Sequence, residues 1–240
     1  MKLNTLSLVI PAYNEAQRLP DYLPDVAGYL NDRFEDYEVI LIDDGSQDRT
    51  VDVAGSYADL FKSMVILQNS GNMGKGFSVR TGVQAAKFDY VLMSDADFST
   101  PVEDFERLEP MAGPDRLVIG SRAIKGSNIT RHQPFYREYM GRIFNLIVQS
   151  LVVSGIKDTQ CGFKLIGPLV KKRVIPRMKV DGFAFDVEMV LLSKQEGIDI
   201  REVGVRWRND ERTSVSPIMD SLKMLAELVR IRRMHKNKKI

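Results

Sequence analysis

Apolar positions near the amino terminus fall into short, near-continuous runs that alternate with segments of helical periodicity. Leu6-Ser7-Leu8-Val9-Ile10 reads as a strand, followed by a helical pattern from about Asn14 to Leu30. Tyr37 to Ile42 is the next apolar run; the turn Asp43-Asp44-Gly45-Ser46 and a helix from about Asp48 to Leu60 follow it. Met64 to Leu67 leads through a glycine-rich turn into a helix from Lys75 to Ala86, and Tyr90 to Met93 ends at Ser94-Asp95-Ala96-Asp97. Strands that are apolar throughout, each followed by a helix, predict an α/β fold with a mostly parallel sheet covered on both faces. Binding groups in such a sheet gather beyond the carboxyl ends of the strands.

The regular alternation stops near residue 115. Thr100-Pro101-Val102-Glu103 has the spacing of a capping box, with Pro101 at the first helical position. Leu117-Val118-Ile119 predicts a strand, and helical patterns cover about Tyr136 to Val153 and Phe185 to Glu196, the latter closed by Gly197. Ile198 to Trp207 reads as one further strand and Pro217 to His235 as a last helix. Neither an internal repeat nor a low-complexity linker interrupts the 240 residues, so one domain over 1–240 is expected.

Composition places the chain among globular proteins, with 44% hydrophobic and 28% charged residues. The lone Cys161 excludes an internal disulfide and points to a reducing compartment. A formal net charge of +2 conceals segregation: residues 1–115 carry 9 Lys+Arg against 20 Asp+Glu, and residues 116–179 carry 13 against 2. The amino terminus shows no apolar leader pattern, and no run reaches the ~18 apolar residues of a spanning helix.

Four polar clusters each follow a predicted strand: Pro11-Ala12-Tyr13-Asn14-Glu15, Asp43-Asp44-Gly45-Ser46, Gly71-Asn72-Met73-Gly74-Lys75-Gly76 and Asp95-Ala96-Asp97. In a parallel sheet all four share one edge. Asp95 and Asp97, two apart in an extended segment, point the same way and suit one hard cation, Mg²⁺ or Mn²⁺, with positions left for diphosphate oxygens. Singly, each cluster also reads as a turn or a helix cap. The glycine loop has neither P-loop nor dinucleotide-binding spacing.

Together with Val9-Ile10, these clusters resemble the motif series of family 2 inverting glycosyltransferases of the GT-A fold. Asp158-Thr159-Gln160-Cys161-Gly162-Phe163-Lys164 and Phe183-Ala184-Phe185-Asp186-Val187-Glu188 are similar to the dolichyl-phosphate β-glucosyltransferase branch, to which dolichyl-phosphate mannose synthases are close. The likeness spans about Leu6 to Val215. It implies a metal-dependent transfer of a hexose, glucose from UDP-glucose above all, to a polyprenyl or dolichyl phosphate. Residues 1–115 would then form the nucleotide-sugar half, 116–215 the acceptor half and 216–240 a basic amphipathic helix.

The same resemblance implies roles by position. Pro11, Tyr13 and Glu15 would contact the nucleoside, Asp43 or Asp44 the base or ribose, and Lys75 the nucleotide sugar. Asp95 would lie near the ribose and the donor sugar, and Asp97 would ligate the metal that bridges the diphosphate. Arg122 and Arg137 would hold the acceptor phosphate, with Lys164 a further phosphate contact. Where the family has a Gly-Ser-Lys segment this chain has Arg212-Thr213-Ser214-Val215, with Ser214 in place of the lysine, so the closing cation comes from Arg212 or Arg208 or is absent, and Arg212 is the one expected. A phosphate monoester, with a second pKa of about 6, is already ionised at neutral pH, so no general base is expected.

Other readings of the chain are a GDP-mannose or UDP-N-acetylhexosamine donor, a sugar nucleotidyltransferase, and a non-catalytic nucleotide-sugar binder. Sparse aromatic interleaving argues against nucleic acid as the partner of the basic half. An anionic membrane surface is the expected partner instead. Ile143, Phe144, Ile147, Val148, Leu151 and Val152 recur at helical spacing, either as core or as an apolar face at a bilayer. Arg230 to Lys239 holds six cations and no acid. A peripheral position on the cytoplasmic face of a membrane follows as the expected location.

Overall fold

The computed structural model describes residues 2–131, 145–149, 152–210, 212 and 217–235, with the backbone alone for 217–223. The two apolar runs nearest the amino terminus become its longest strands, β1 (Thr5–Ala12) and β2 (Asp36–Asp43), each buried at every position after the first. Such strands need cover on both faces, and the helices between them supply it. The helices are α1 (Leu19–Arg33), α2 (Thr50–Ser56) and α3 (Lys75–Ala85), and the strands β3 (Met64–Gln68) and β4 (Val91–Ser94) complete the amino-terminal half.

The rest of the chain adds a short helix α4 (Phe105–Leu108), β5 (Arg116–Ser121), β6 (Asn128–Arg131) and a helical stretch α5 at residues 145–149. Then come β7 (Phe163–Ile166), α6 (Pro168–Arg173), α7 (Phe185–Gln195), β8 (Asp199–Gly204), β9 (Arg206–Arg208) and α8 (Pro217–Met234).

Seven strands form the main sheet in the order β3-β2-β1-β4-β7-β5-β8. All pairings are parallel except those of β7, which runs antiparallel to both β4 and β5. The carboxyl ends of β1 to β4 therefore share one edge, and β7 enters the sheet from that same edge. The expected α/β fold and mostly parallel sheet are present.

Several boundaries differ from the sequence reading for local reasons. α1 begins at Leu19 rather than Asn14 because Asn14 sits at φ +57°, its side chain accepting from the Gln47 N–H and its own N–H donating to Ser46 Oγ. The capping box does not form: Pro101 is extended and Val102–Asp104 is a 3₁₀ turn. Glu103 instead lies 3.7 Å from Arg206. The single strand expected over 198–207 is two, because the Asp104 carboxylate takes both the backbone N–H and the Nε–H of Arg206 at 2.6 Å. That anchor draws β9 out of the main sheet to pair with β6.

Of the long helix expected over 136–153, residues 136–144 and 150–151, including Ile143, Phe144 and Leu151, lie outside the described residues. Within the described part Val148 is fully buried, and Ile147 and Val152 pack against the core. That part of the apolar face is core, and only Leu146 beside it is well exposed.

Candidate active site

Each of the four parallel strands releases its polar cluster into a cleft of about 360 Å³ at their carboxyl edge. Pro11, Tyr13 and Glu15 arrive from β1, Asp44 from β2, Asn72 and Gly74 from the loop before α3, Lys75 from the first position of α3, and Asp95 and Asp97 from β4. The glycine loop is moored by Asp44, whose carboxylate accepts the N–H groups of Met73 and Gly74 at 2.9 Å and the Asn69 amide at 2.7 Å. Asp44 thus faces the cleft while its oxygens shape the loop. Asp43 does not line the cleft: it is buried and its carboxylate receives the Ser46 N–H at 3.2 Å.

Asp95 and Asp97 come together through a turn, not through the alternation of an extended strand. The Phe98 N–H donates to the Asp95 carbonyl at 3.1 Å, and Phe98 takes φ +40°, a conformation that bulky side chains rarely adopt. Asp97 is steadied by the Ser99 N–H at 3.0 Å. Across the sheet Asp95 N donates to the Gly162 carbonyl at 3.1 Å, and any side chain at Gly162 would overlap the Asp95 carboxylate. The resemblance at residues 158–164 includes this glycine; here it makes room for an aspartate.

Both carboxylates remain partly accessible, with side chains 33% exposed for Asp95 and 27% for Asp97. Burial and then the neighbouring Asp95 raise the pKa of Asp97 above the ordinary carboxylate range. Two acids pushed together in a cleft, with no third His, Cys, Asp or Glu clustered beside them among the described residues, suit a divalent ion that keeps open positions for phosphate oxygens. The donor set fits Mg²⁺ or Mn²⁺.

Cations balance these acids. Lys75 Nζ lies 2.7 Å from Asp95 Oδ1. Burial works against its charge, but Asp95 and Asp186 outweigh that and raise its pKa. Arg18, unforeseen in the sequence, also lines the cleft, bound to Glu15 and 3.9 Å from Asp97. Glu15 is pushed up to about 7 by burial, against the opposing pull of Arg18, and its Oε2 has no hydrogen-bond partner among the described residues. The Glu15–Arg18 spacing of three was visible in the chain, but its direction toward Asp97 was not.

Two further expected contacts are placed differently. Lys164 is fully buried, paired with Asp186 and donating to the Cys161 carbonyl, so it cannot meet a phosphate in the cleft. Arg212 lies beside α1, bound to Asp210 at 2.8 Å and to Asp21 at 2.9 Å, and does not line the cleft. Thr213, Ser214 and Val215 lie outside the described residues, as does Arg137. Arg122 grips Asp158 through Nε at 2.7 Å and Nη2 at 2.8 Å and stacks over Trp207. Arg122 is not among the residues that line the cleft, and Asp95 is one of the more distant charges that favour its protonated form, after Asp158. His235 pairs with Glu188 at 2.7 Å.

The cleft also takes Gly182 and Phe183 from the segment before α7, and Met224 and Glu227 from α8. Helical periodicity marked α8 as a helix, but nothing in it indicated which turn faces the cleft.

This geometry agrees with comparison to known proteins. Residues 7–166 match Glycosyl transferase family 2. The chain is similar to the dolichyl-phosphate beta-glucosyltransferase of Dictyostelium discoideum, 38% identical over 240 residues, covering 95% of this chain and 73% of that protein. The enzymes of that name from Mus musculus and Homo sapiens are 35% and 34% identical, each covering 95% of this chain and 74% of the relative. Among solved structures, glucosyl-3-phosphoglycerate synthase from Mycobacterium tuberculosis superposes with a TM-score of 0.69 at 16% identity, covering 95% of this chain and 80% of that one. At that identity the likeness is one of fold. The sugar nucleotidyltransferase alternative is set aside by these matches. With paired aspartates, a moored glycine loop and a GT-A-like sheet, the chain belongs to glycosyl transferase family 2.

Proposed function

We propose that this chain transfers glucose from UDP-glucose to dolichyl phosphate or another polyprenyl phosphate, inverting the anomeric configuration. The observation that carries the reading is the Asp95–Asp97–Lys75 constellation at the carboxyl ends of parallel strands, in a chain 38% identical to a named dolichyl-phosphate beta-glucosyltransferase. A fold neighbour has been crystallised with Mn²⁺ and UDP-glucose.

In this reading Pro11 and Tyr13 frame the nucleoside, and Asp97 with Asp95 would hold Mg²⁺ or Mn²⁺ at the diphosphate. When bound, the ion would offset charge developing on the leaving UDP. Lys75 adds a fixed positive charge beside the same oxygens, where preorganised electrostatics contribute most to such a transfer. The acceptor phosphate approaches from the side of Arg122, whose guanidinium Asp158 holds in a planar, bidentate grip. Arg137 would join it there. No residue is assigned to proton abstraction, because the attacking phosphate oxygen is already ionised.

The deciding experiment supplies radiolabelled UDP-glucose, GDP-mannose and UDP-N-acetylglucosamine in turn with dolichyl phosphate and Mg²⁺ or Mn²⁺. Label from UDP-glucose passing into the organic phase is expected. Transfer from another donor only, or from none, overturns the assignment.

A lipid acceptor also calls for contact with a membrane surface, and we place that contact on the cytoplasmic face. No helix among the described residues is long and apolar enough to cross a membrane. Exposed Arg230, Arg232 and Arg233 line the outer side of α8, near exposed Val229; Lys236, Lys238 and Lys239 lie outside the described residues. Basic residues near an anionic surface each contribute about 1 kcal/mol. Flotation with phosphatidylserine-containing liposomes, reduced by ~0.5 M salt, is expected. Protein that stays at the bottom of the gradient at low salt overturns the surface contact.

A further inference from the structure

The family match ends at residue 166, yet the cleft is closed by residues from beyond that point. One of them, Glu227, is an acid. It stands on α8, which is seated firmly: Leu228 and Ile231 are fully buried, His235 pairs with Glu188 at 2.7 Å, and the Gln195 amide donates to the His235 carbonyl at 3.0 Å. The carboxylate is therefore fixed in place. Its Oε2 accepts the Ala184 N–H at 3.2 Å, and its Oε1 lies where a side chain at Gly182 would have to be. The absence of that side chain lets the acid reach the cleft.

The segment that holds Glu227 borders the glycine loop. The Asp181 carbonyl accepts the Gly76 N–H at 2.7 Å, while the Asp44 carboxylate accepts the Gly74 N–H at 2.9 Å. The loop is thus gripped by Asp44 on one side and by residues 181–182 on the other, which sets Glu227 across the loop from the wall expected to take the nucleoside. A carboxylate cannot touch the diphosphate directly, since like charges repel, and the cation that would bridge the two is assigned to Asp95 and Asp97. A carboxylate accepts hydrogen bonds only, so its ligand must present donors, and the donors a UDP-hexose carries beyond its nucleoside are the hydroxyls of the sugar ring.

We propose that Glu227 is a specificity-determining residue that accepts hydrogen bonds from ring hydroxyls of the transferred hexose. This rests on the UDP-hexose donor proposed above. Burial raises the pKa of the carboxyl, in keeping with an acid set into a wall rather than free in solvent. A site built to pair with a hydroxyl rejects a donor that lacks it, because the buried acceptor is then left unmatched.

Glu227→Gln keeps an oxygen for the Ala184 N–H but removes the charge. Binding of UDP and of UDP-glucose is measured by calorimetry with Mg²⁺ or Mn²⁺ present, and KM and kcat with dolichyl phosphate. UDP affinity within about three-fold of the parent, with UDP-glucose at least ~10-fold weaker, is expected from loss of a charge-assisted hydrogen bond. The 2-, 3-, 4- and 6-deoxy analogues of UDP-glucose identify the partner. Removing one hydroxyl should cost the parent about ten-fold and the variant under about three-fold. Equal weakening of UDP and UDP-glucose, or deoxy penalties identical in both proteins, overturns the proposal. A parent that binds no UDP-glucose overturns the donor assignment instead.

Discussion

The Lys75 ammonium lies 2.7 Å from the Asp95 carboxylate, so the cation of the glycine loop is held where the donor diphosphate would bring its charge. Lys75→Gln is expected to lower kcat by at least ~10²-fold, the scale set by losing one preorganised electrostatic contact. UDP-glucose turnover measured beside the thermal midpoint checks this; full activity in a folded variant refutes it.

Asp97 carries the metal expectation. Asp97→Asn should reduce turnover by at least ~10²-fold while the fold persists. EDTA should abolish activity in the parent, and either Mg²⁺ or Mn²⁺ should restore it. Indifference to EDTA would show that the two carboxylates serve some other purpose.

Lys164 and Asp186 form a fully enclosed ion pair, and removing one partner strands the other. Lys164→Met is expected to lose about 3–5 kcal/mol of stability in urea denaturation. The double replacement Lys164→Met with Asp186→Leu should recover most of that loss, since no buried charge is left alone. A double variant as unstable as the single one would contradict the pairing.

Hydrogen bonds from Arg212 hold the Asp210 carboxyl at about 2, below its ordinary 3.8. A carboxyl lowered by folding contributes stability above its unfolded value and loses it as pH falls through the folded one. The difference in thermal midpoint between the parent and Asp210→Asn should be constant above about pH 4 and shrink toward pH 2. A difference that grows on acidification would reverse the sign of the coupling.

Burial pushes the Cys161 thiol up to about 12, leaving almost no thiolate at neutral pH. Iodoacetamide at pH 8 should leave the native protein unlabelled and label the single cysteine once in denaturant, as read by intact mass.

Much of this molecule was legible in the chain where a local rule acted alone. The apolar runs at 6–10 and 37–42 became inner parallel strands, because a doubly covered sheet accommodates them, and the run at 64–67 became the half-exposed edge strand beside them. Pro11, Tyr13, Glu15, Asp44, Lys75, Asp95 and Asp97 reached one cleft by strand polarity alone. Lys164 misled, since a lysine inside Phe163–Ile166 looks like a ligand contact, whereas a central strand has no solvent side and the charge must find an internal partner. Arg212 misled because Asp21, its partner across 191 residues, is adjacent only in space. Glu227 was hidden for a similar reason: on a helix, which turn faces a cleft depends on packing that no local pattern records.

The position of β7 also governs the order in which this protein can be assembled. β4 has β1 beside it as soon as residue 94 is made, so the sheet from β3 to β4 can close on the emerging chain. β5 is made next but borders only β7 and β8 in the main sheet, and both come later. Strand β5 must therefore wait, apolar and without its neighbours, while some forty residues between it and β7 leave the ribosome. The half of the sheet proposed to meet the diphosphate is ready early. The stretch from Arg116 to Phe163 is the interval in which a nascent chain would most need shielding from aggregation.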